Sequence, residues 1–432
     1  MHLDMNSYFA TAEQQNNPAW RGKPLGVCEH LGGIIIAASI EAKRWGIKTG
    51  TPVWEARKLF PKIILTKTSP DIYRTYIKRV LTIAGDYTAK VEQASIDEMY
   101  LDVTKQCNIR VVSRESLVFR DPFEEAVVIA KEIKRRMILE AGDYLKCSIG
   151  IGENKLIAKI ASDMQKPNGL VVVAEAIGLH STRAATGRPY TRDYLVFSKD
   201  DLYTRLKLTD IPGIGHRQEK NLQKLGIKTL VELKNYPLSM LVARFGINGY
   251  HLHQMGQLEG SWKPDVEKDE VIKSIGHMYT LPKEFREKKF FVPVLYKLCE
   301  MVAKRLRKNN LTGNIIHFYL RDKNYEGFGE SKKLGFYVYD GREIFLQCML
   351  VFEKFKMSSG EFKLIGVTVA GLRPQDNQLS LFGYDERIKK ITRALDKINS
   401  KYGDFTLCRV PVLNAKLAFR ESIGFGRIKE LH

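Results

Sequence analysis

Three acidic residues in two short apolar segments are the first candidates for chemistry. Asp4 lies within residues 2–6, which are typical of an opening strand, and Asp97 and Glu98 lie within the strand-like segment 95–103. An acid inside a strand is costly unless a cation, a hydrogen-bond network or a proton pairs with it. On an ideal strand Asp97 faces the apolar side and Glu98 the opposite side, so both reach one metal ion only near a turn or bulge.

Taken singly, each acid also has a structural explanation, as a buried hydrogen-bonded aspartate or a solvated glutamate at a strand edge. Taken together, the acids suggest a two-metal centre, in which carboxylates place two Mg²⁺ ions about 4 Å apart. One ion would lower the pKa of an attacking hydroxyl, and the other would hold a triphosphate and its leaving oxygen. Phosphoryl transfer depends on positioning and charge neutralisation, so three acids and a few lysines are sufficient.

Length and charge set the class of protein in which such a centre would work. The chain has 432 residues, too many for one compact core, and about two to four domains are expected. Lys and Arg total 69 against 49 Asp and Glu, a net charge of +20. This excess favours nucleic acid as a partner over a merely basic surface, because neutralising phosphates releases counterions.

The sequence predicts a cytoplasmic protein without a membrane span. No stretch approaches the roughly 20 apolar residues that a spanning helix needs, and the first residues include an acid where a signal peptide needs a basic region. The six cysteines lie far apart without a CxxC pair. They are expected to be reduced thiols, not a zinc site or a disulfide framework.

The hydrophobic pattern of the sequence changes along the chain. Residues 1–175 mix short apolar strands with a helix whose apolar residues recur at helical spacing over 124–141. Residues 176–258 are mostly helical, and the polar stretch 259–270 is typical of a linker because it has little to bury. Residues 271–371 follow the order strand, helix, strand, strand, helix, strand, which predicts a split βαβ unit with two helices against a four-stranded antiparallel sheet.

Four motifs in order resemble the Y-family DNA polymerases of the DinB and UmuC group. They are DMNSYFA (4–10), SIDEMYLD (95–102), IGENKLIAKIASDMQKPNG (151–169) and IPGIG (211–215). Each motif alone is weak, but four in this order with compatible spacing are highly specific.

The resemblance implies an α+β, multidomain protein with the architecture of a right-hand polymerase. It would have a ferredoxin-like palm, small fingers, a helical thumb with a helix-hairpin-helix, and a split-βαβ little finger. The predicted boundaries are palm 1–10 and 67–175, fingers 11–66, thumb 176–258, linker 259–270, little finger 271–371 and tail 372–432.

The resemblance also implies roles for individual residues. The metal ligands would be the carboxylates of Asp4, Asp97 and Glu98 and the backbone carbonyl of Met5. Nucleotide-binding residues would be Tyr8 and Phe9, through their amides, and Lys43 and Lys166, through their charges. Phe9 would be the steric gate that excludes a 2′-hydroxyl, although the ring alone is equally explained as core and a lone lysine as a solvated charge.

Two departures from the family pattern bear on the nucleotide and on the first strand. The family commonly has Tyr-Glu-Ala-Arg where residues 40–43 read Ile-Glu-Ala-Lys. The missing tyrosine removes a phosphate contact, and lysine offers a point charge in place of a bidentate fork. The family also has several residues before the first metal-binding aspartate, so a short first strand or a start that omits native residues is expected here.

Two further segments are predicted to contact DNA. IPGIG with the following NLQKLGIKTLVEL resembles a helix-hairpin-helix, in which the amides of Gly213, Ile214 and Gly215 approach a phosphate without reading sequence. A plain helical turn is the alternative. Lys273 and Ser274, at the start of the first little-finger strand, are also assigned to DNA.

The tail contains a candidate partner-binding peptide. Gln378, Leu379, Leu381 and Phe382, within QLSLF, resemble the peptide by which bacterial polymerases dock on the sliding clamp, the beta clamp. Leu381 and Phe382 would fill a hydrophobic pocket and Gln378 would supply an orienting amide. Packing of the apolar pair on its own domain is the alternative.

These features predict a monomeric, template-directed DNA polymerase of the translesion type, with two Mg²⁺ ions, primer-template DNA and dNTP. One alternative is a UmuC-like subunit that needs accessory proteins, and another is a non-catalytic, clamp-tethered DNA-binding protein. A nucleotide cyclase would share the acids but would not need IPGIG, a basic split βαβ domain or QLSLF. Two apparent insertions, around 105–122 and 178–200, carry no functional prediction.

Overall fold

The structure, a computed structural model, describes residues 1–29, 33–107, 111–113, 116–118, 122–174, 193–260, 272–281, 285–322, 324, 326–354, 361–375, 384–413 and 415. The chain forms two compact units, of which unit 1 contains Met1–Glu267 and unit 2 contains Lys268–Glu421.

Unit 1 is built from short strands and helices. The strands are β1 (His2–Met5), β2 (Leu25–Cys28), β3 (Ile35–Ala38), β4 (Ile64–Lys67), β5 (Val91–Gln93), β6 (Glu98–Leu101), β7 (Val111–Ser113), β8 (Ser116–Val118), β9 (Cys147–Ile151), β10 (Leu170–Val173) and β11 (Leu195–Phe197). The helices are α1 (Tyr8–Asn16), α2 (Ile40–Arg44), α3 (Val53–Leu59), α4 (Pro70–Gly85), α5 (Thr104–Cys107), α6 (Pro122–Arg136), α7 (Lys155–Met164), α8 (Lys199–Arg205), α9 (His216–Gln223), α10 (Leu230–Asn235), α11 (Leu238–Phe245) and α12 (Ile247–Gly256).

The largest sheet of unit 1 has six strands in the order β11-β10-β9-β1-β6-β5. Its strands β9, β1, β6 and β5 are all antiparallel neighbours, with α1 and α4 between β1 and β5 and α6 between β6 and β9. This is the ferredoxin-like arrangement, so the predicted fold class is confirmed. Leu3 and Met5 face the core shared with α1, α4 and α6. His2 and Asp4, of opposite parity, face the side covered by α7.

Packing crosses two of the predicted domain boundaries. Tyr8, Phe9 and Ala12 of α1 pack into the core of the six-stranded sheet, although a boundary at residue 10 divides this helix. β11 pairs with β10 as the edge of the same sheet, although it lies in the segment predicted as thumb. A strand of three residues is too short for periodicity to assign it to a sheet.

A smaller sheet, β3-β2-β4, packs with α2 and α3 around Ile35, Ala42 and Val53. It accounts for most of the segment predicted as fingers. Helices α8–α12 pack with α7 and β10 in a second apolar cluster, in which Leu222 and Leu230 are fully buried. The hairpin lies between α8 and α9, within this largely helical region.

Unit 2 contains strands β12 (Ser274–Thr280), β13 (Leu311–Asp322), β14 (Gly327–Val338) and β15 (Phe362–Pro374), and helices α13 (Phe291–Lys308), α14 (Gly341–Phe352), α15 (Tyr384–Tyr402) and α16 (Val410–Leu413). The strands pair antiparallel in the order β12-β15-β13-β14. Ile316 and Phe318 of β13 pack with Val294 and Leu298 of α13 in one core. The predicted split βαβ unit is therefore confirmed.

β14 begins at Gly327, earlier than the apolar segment 332–340 that the sequence marks as a strand. Its first residues lack an apolar period, and pairing with β13 extends the strand. Across the described parts of both units, no helix is long and apolar enough to cross a membrane.

Candidate active site

The three acids meet where β1 and β6 lie side by side. Asp4 is directly opposite Glu98 in the antiparallel register. Asp97 lies in a bend just before β6, and its carbonyl accepts a hydrogen bond from the Met5 amide at 2.9 Å. The bend interrupts the alternation of side chains, which is the local feature that brings Asp97 and Glu98 to neighbouring positions.

Each carboxylate has a partner in this conformation. Asp4 Oδ2 accepts a hydrogen bond from Lys166 Nζ at 2.7 Å, and Glu98 Oε1 accepts one from Lys159 Nζ at 2.6 Å. Asp97 Oδ1 accepts one from Ser95 Oγ at 2.6 Å. Burial of these acids is therefore compensated, because each carboxylate has a cation or a hydrogen-bond donor as a partner.

Burial and mutual repulsion shift the pKa values of these acids in different directions. Burial raises the pKa of Asp4 to about 7, with Lys166 opposing the rise and Glu98 adding to it. Burial also raises the pKa of Asp97, although the Ser95 hydroxyl opposes it. For Glu98 burial acts in the same sense, but the nearby His2 ring and the Lys159 ammonium outweigh it and hold its pKa below the ordinary value.

The raised pKa values of Asp4 and Asp97 indicate that nearby positive charge does not fully offset the burial of these two acids. Three carboxylates and the Met5 carbonyl are hard oxygen donors, the kind that Mg²⁺ prefers. A divalent cation would favour the ionised form of Asp4, which burial disfavours. The residues therefore fit divalent cations. In the described part of the chain, Lys166 and Lys159 pair with two of the acids, and no group of three or more acid, histidine or cysteine side chains is arranged to hold an ion.

A cavity of about 640 Å³ lies beside the acids. Its lining residues are Asp4, Met5, Asn6, Ser7, Tyr8, Phe9, Ile36, Ala37, Ala38, Ile40, Lys43, Arg44, Thr49, Asp97, Lys166 and Pro167. Glu98 is not among them, because its side chain turns towards Lys159. The cavity thus gathers most of the predicted metal and nucleotide residues, and its size suits a nucleotide.

Phe9 is fixed in the wall of this cavity by α4. Its ring stacks on Tyr73 with centroids 4.4 Å apart and an angle of 14° between the planes. Tyr73 in turn donates from its hydroxyl to Glu13 at 2.6 Å, and the Tyr8 hydroxyl donates to the Tyr73 carbonyl. The position of Phe9 is therefore determined by both α1 and α4.

The second wall is α2, which follows β3. Ser39 caps this helix by accepting a hydrogen bond from the Ala42 amide, and Tyr144 donates to Glu41 at 2.9 Å. This anchoring leaves Ile40 and Lys43 on the cavity side. Burial lowers the pKa of Lys43, and the charge of Lys166 lowers it further, so two ammonium groups share this end of the cavity.

Sequence reasoning identified Lys166 but missed the two lysines of α7 that pair with acids of the sheet. Lys155 contacts Glu92 of β5 at 2.6 Å, and Lys159 contacts Glu98 of β6 at 2.6 Å. Lys166, just beyond α7, contacts Asp4 of β1. The spacing of Lys155 and Lys159 places both on one helix face, and that spacing was a signal for a cationic face opposite the acids.

The predicted DNA residues lie in two different places. Gly213 has φ of +100°, and a Cβ there would lie 2.8 Å from Met255 Cε, so the hairpin requires glycine. The Ile214 side chain is buried and its amide donates to the Ile211 carbonyl at 2.9 Å, so this residue serves the hairpin itself. Gly215 caps the start of α9.

In unit 2, Lys273 and Ser274 are exposed at the start of β12. The predicted clamp residues Gln378, Leu379, Leu381 and Phe382 lie outside the described residues, as do most of the linker and part of both insertions.

Comparisons with known proteins agree with this arrangement. Residues 3–163 match the impB/mucB/samB family, and residues 272–381 match the C-terminal domain of that family. Residues 209–257 match a model described as DNA polymerase-iota, thumb domain.

Relatives of similar length carry one name. DNA polymerase IV of Moorella thermoacetica is 34% identical over 411 residues, which are 94% of this chain and 94% of that protein. DNA polymerase IV of Pelotomaculum thermopropionicum is 30% identical over 428 residues, covering 98% and 97%. A solved Y-family DNA polymerase chimera, Dbh-Dpo4(243-245)-Dbh, is 25% identical with a TM-score of 0.66, covering 87% of this chain and 99% of that one.

The structure brings acids together across β1 and β6 beside a nucleotide-sized cavity, and the similarity to these relatives extends over almost the whole chain. The chain therefore belongs to the Y family of DNA polymerases, in the DinB or DNA polymerase IV group, and is a translesion DNA-directed DNA polymerase.

Proposed function

We propose that the polymerase uses Asp4, Asp97, Glu98 and the Met5 carbonyl to hold two Mg²⁺ ions during nucleotidyl transfer. The primer 3′ oxygen bonds to the α-phosphorus of a dNTP, and pyrophosphate leaves. When bound, the ions would lower the pKa of the attacking hydroxyl and neutralise the triphosphate. The observation that carries this proposal is the register of Asp4 opposite Glu98, with the Met5 amide bonded to the Asp97 carbonyl.

Lys166 and Lys43 supply part of the positive charge that the protein itself provides at the site. Lys166 lies 2.7 Å from Asp4, and both lysines line the cavity. Their ammonium groups would pair with the triphosphate, because phosphoryl transfer relies on neutralised oxygens. Lys159 keeps Glu98 ionised, which prepares this carboxylate to act as a ligand.

Phe9 would select deoxynucleotides at the same cavity. Its ring is held flat against Tyr73 and cannot shift without disturbing α4. A sugar placed against the ring therefore has no room for a 2′-hydroxyl. Ile40 in place of the family tyrosine leaves the cavity with one fewer hydroxyl donor, so a weaker hold on the triphosphate is expected.

Primer-template DNA would be held through backbone contacts. A solved neighbour with TM-score 0.51 is described as an insertion ternary complex of Dbh DNA polymerase, which supports a common fold. Gly213 and Gly215 in the hairpin, with Lys273 and Ser274 in unit 2, are the proposed contacts. QLSLF lies between β15 and α15 in the sequence, and we assign it to the sliding clamp.

The test is primer extension by the purified chain on undamaged and abasic templates, with Mg²⁺ and four dNTPs. An Asp97→Asn, Glu98→Gln variant is expected to lose extension by at least about a thousandfold. Glu92→Gln, which removes a buried acid of the same sheet outside the proposed set, is the matched control. An equal loss of extension in Glu92→Gln would contradict the assignment. If the wild-type chain extended the primer only after accessory proteins were added, the enzyme would have a UmuC-like dependence on them.

A further inference from the structure

Unit 2 carries an additional helical segment, α15 and α16, beyond the residues 272–381 that match the family's C-terminal domain. Arg307 of α13 binds the Asp396 carboxylate of α15 with both nitrogens, at 2.6 and 2.7 Å. Arg409 contacts Asp340 at 2.7 Å and Glu300 at 2.8 Å. These ion pairs hold the segment against the helical side of unit 2.

The inner face of α15 is partly buried and mixes polar with apolar side chains, whereas its outer face is basic. Thr392 and Asn399 are buried. The outer face carries five exposed cations, Arg387, Lys390, Arg393, Lys397 and Lys401. Their spacing of three or four residues places them in one row along the helix. From the first cation to the last, the row is about 21 Å long at 1.5 Å per residue.

Like charges at this spacing repel one another, so the row lowers the stability of its own helix. Within the described residues none of the five forms an ion pair with an acid, since Asp396, on the other face, is engaged by Arg307. Among the described side chains the row therefore costs stability and has no paired acid, which points to a polyanion outside the chain.

A groove between α13 and α15 adjoins the row. It has a volume of about 410 Å³. Its charged lining residues are Lys304, Arg307, Lys308, Lys389, Arg393 and Asp396. Asp396 pairs with Arg307 and Asp404 pairs with Lys304; two acids thus meet five cations, and the groove is cationic overall. Arg393 belongs to both the groove and the row and connects them.

We propose that this surface, the α15 row together with the α13–α15 groove, binds the phosphodiester backbone of single-stranded DNA. It lies on the helical side of unit 2, whereas Lys273 and Ser274 are on the sheet. It would thus be a second DNA site, in addition to the contacts proposed for primer-template.

The shape of the surface favours a single strand over other anions. A free nucleotide would fill the groove but leave most of the row without a partner. Duplex DNA, with a persistence length of about 50 nm, could lie along the row but is too stiff to bend from it into a groove between two helices. A single strand can do both, and a row of cations would contact its phosphates without reading bases.

The test uses the full-length enzyme saturated with an unlabelled hairpin primer-template, titrated against a fluorescent 20-nucleotide oligo-dT by anisotropy. Lys390→Gln, Arg393→Gln, Lys397→Gln in one chain is expected to weaken oligo-dT binding at least about tenfold. The slope of the logarithm of the binding constant against the logarithm of the salt concentration should also become shallower by about two. Each lost contact with a single strand removes roughly 0.7 from this slope.

The matched control is Lys58→Gln, Lys62→Gln, Lys78→Gln, which removes the same charge from exposed lysines of unit 1. An equal loss in this control would show a net-charge effect and overturn the proposal, as would unchanged binding by the α15 variant or no second binding by the wild type. If a 20-base-pair duplex bound more tightly than oligo-dT, the assignment to single-stranded DNA would be overturned. The same would hold if tripolyphosphate, titrated in the absence of oligo-dT, bound more tightly than oligo-dT does. Equal melting temperatures of the three proteins establish that folding is intact.

Discussion

At the scale of single residues, the site depends on carboxylates whose ionised forms are stabilised by nearby lysines. Lys166 stabilises the ionised form of Asp4 against burial, and Lys159 does the same for Glu98. Because Asp4 has a pKa raised to about 7, the charge state of the site responds to any loss of its neighbouring cation.

Replacing Lys166 with Gln should therefore move the acidic limb of the pH profile of kcat/KM to higher pH. The amide removes the charge that opposes protonation of Asp4, so the carboxylate stays protonated to a higher pH. A fall in kcat/KM of at least about tenfold at pH 7 is expected. Steady-state extension from pH 6 to 9 measures both effects.

Lys155→Gln is the control for this experiment, since it removes a lysine of α7 that pairs with Glu92, away from the cavity. If Lys155→Gln moved the acidic limb as far as Lys166→Gln, the pairing of Lys166 with Asp4 would not be the cause.

Phe9 gives a second test at this scale. Phe9→Leu should raise the efficiency of ribonucleotide incorporation relative to deoxynucleotide by at least about tenfold, because a smaller side chain leaves room for the 2′-hydroxyl. Single-nucleotide insertion with paired rNTP and dNTP measures the ratio. Tyr73→Phe keeps the stacked ring and loses only the bond to Glu13, so it should leave the ratio unchanged; a rise there would make the selection a property of the whole α1–α4 contact.

At the scale of elements, the hairpin before α9 depends on one glycine. Gly213 adopts φ of +100° against Met255, whereas Gly215 has φ of −85° and open space where a Cβ would be. The same substitution should therefore have different consequences at the two positions.

Gly213→Ala is expected to lower the free energy of unfolding by roughly 1–3 kcal/mol, since an L residue is strained at this φ. Gly215→Ala should change it by less than about 0.5 kcal/mol. Differential scanning calorimetry of the two variants measures the contrast. Equal melting temperatures would mean that the hairpin conformation differs from the one described.

The secondary-structure elements also show which parts of the fold could be predicted from the sequence. The apolar alternation of β1 and the split βαβ order of unit 2 were readable, because both periods are local. The bend at Asp97, the edge position of β11 and the early start of β14 were not, because each depends on pairing with a distant strand. Likewise α1 was divided between two domains, since its packing on α4 is not encoded in its own period.

At the scale of the molecule, the net charge of +20 suits a DNA-binding protein. The charge is not spread evenly, since α15 turns Asp396 towards Arg307 and exposes five cations on its outer face. The stability of unit 2, in contrast, depends on a partly buried histidine that must stay neutral. Burial and the charge of Arg305 lower the pKa of His277, on β12, to about 4.

The stability of unit 2 should therefore fall as pH decreases from about 6.5 to about 4. In this window the unfolded chain binds a proton at His277 and the folded chain does not, so protonation favours unfolding. The loss is at most about 3 kcal/mol, because one pKa unit corresponds to about 1.4 kcal/mol. His277→Gln should flatten this part of the profile, measured as melting temperature against pH, and an unchanged slope would exclude His277 as its source.

The sequence by itself determined the family, the acids and the order of the elements, because motifs and periodicity are local properties of the chain. Only the tertiary structure decided which cation meets which acid. Lys155, Lys159 and Lys166 pair with Glu92, Glu98 and Asp4 across separations of 63, 61 and 162 residues. The physical reason is that α7 packs against β9, β10 and β1 of the same sheet, which brings its lysines to acids on strands far away in the sequence. The face of a helix can be predicted from its spacing, but its partners cannot.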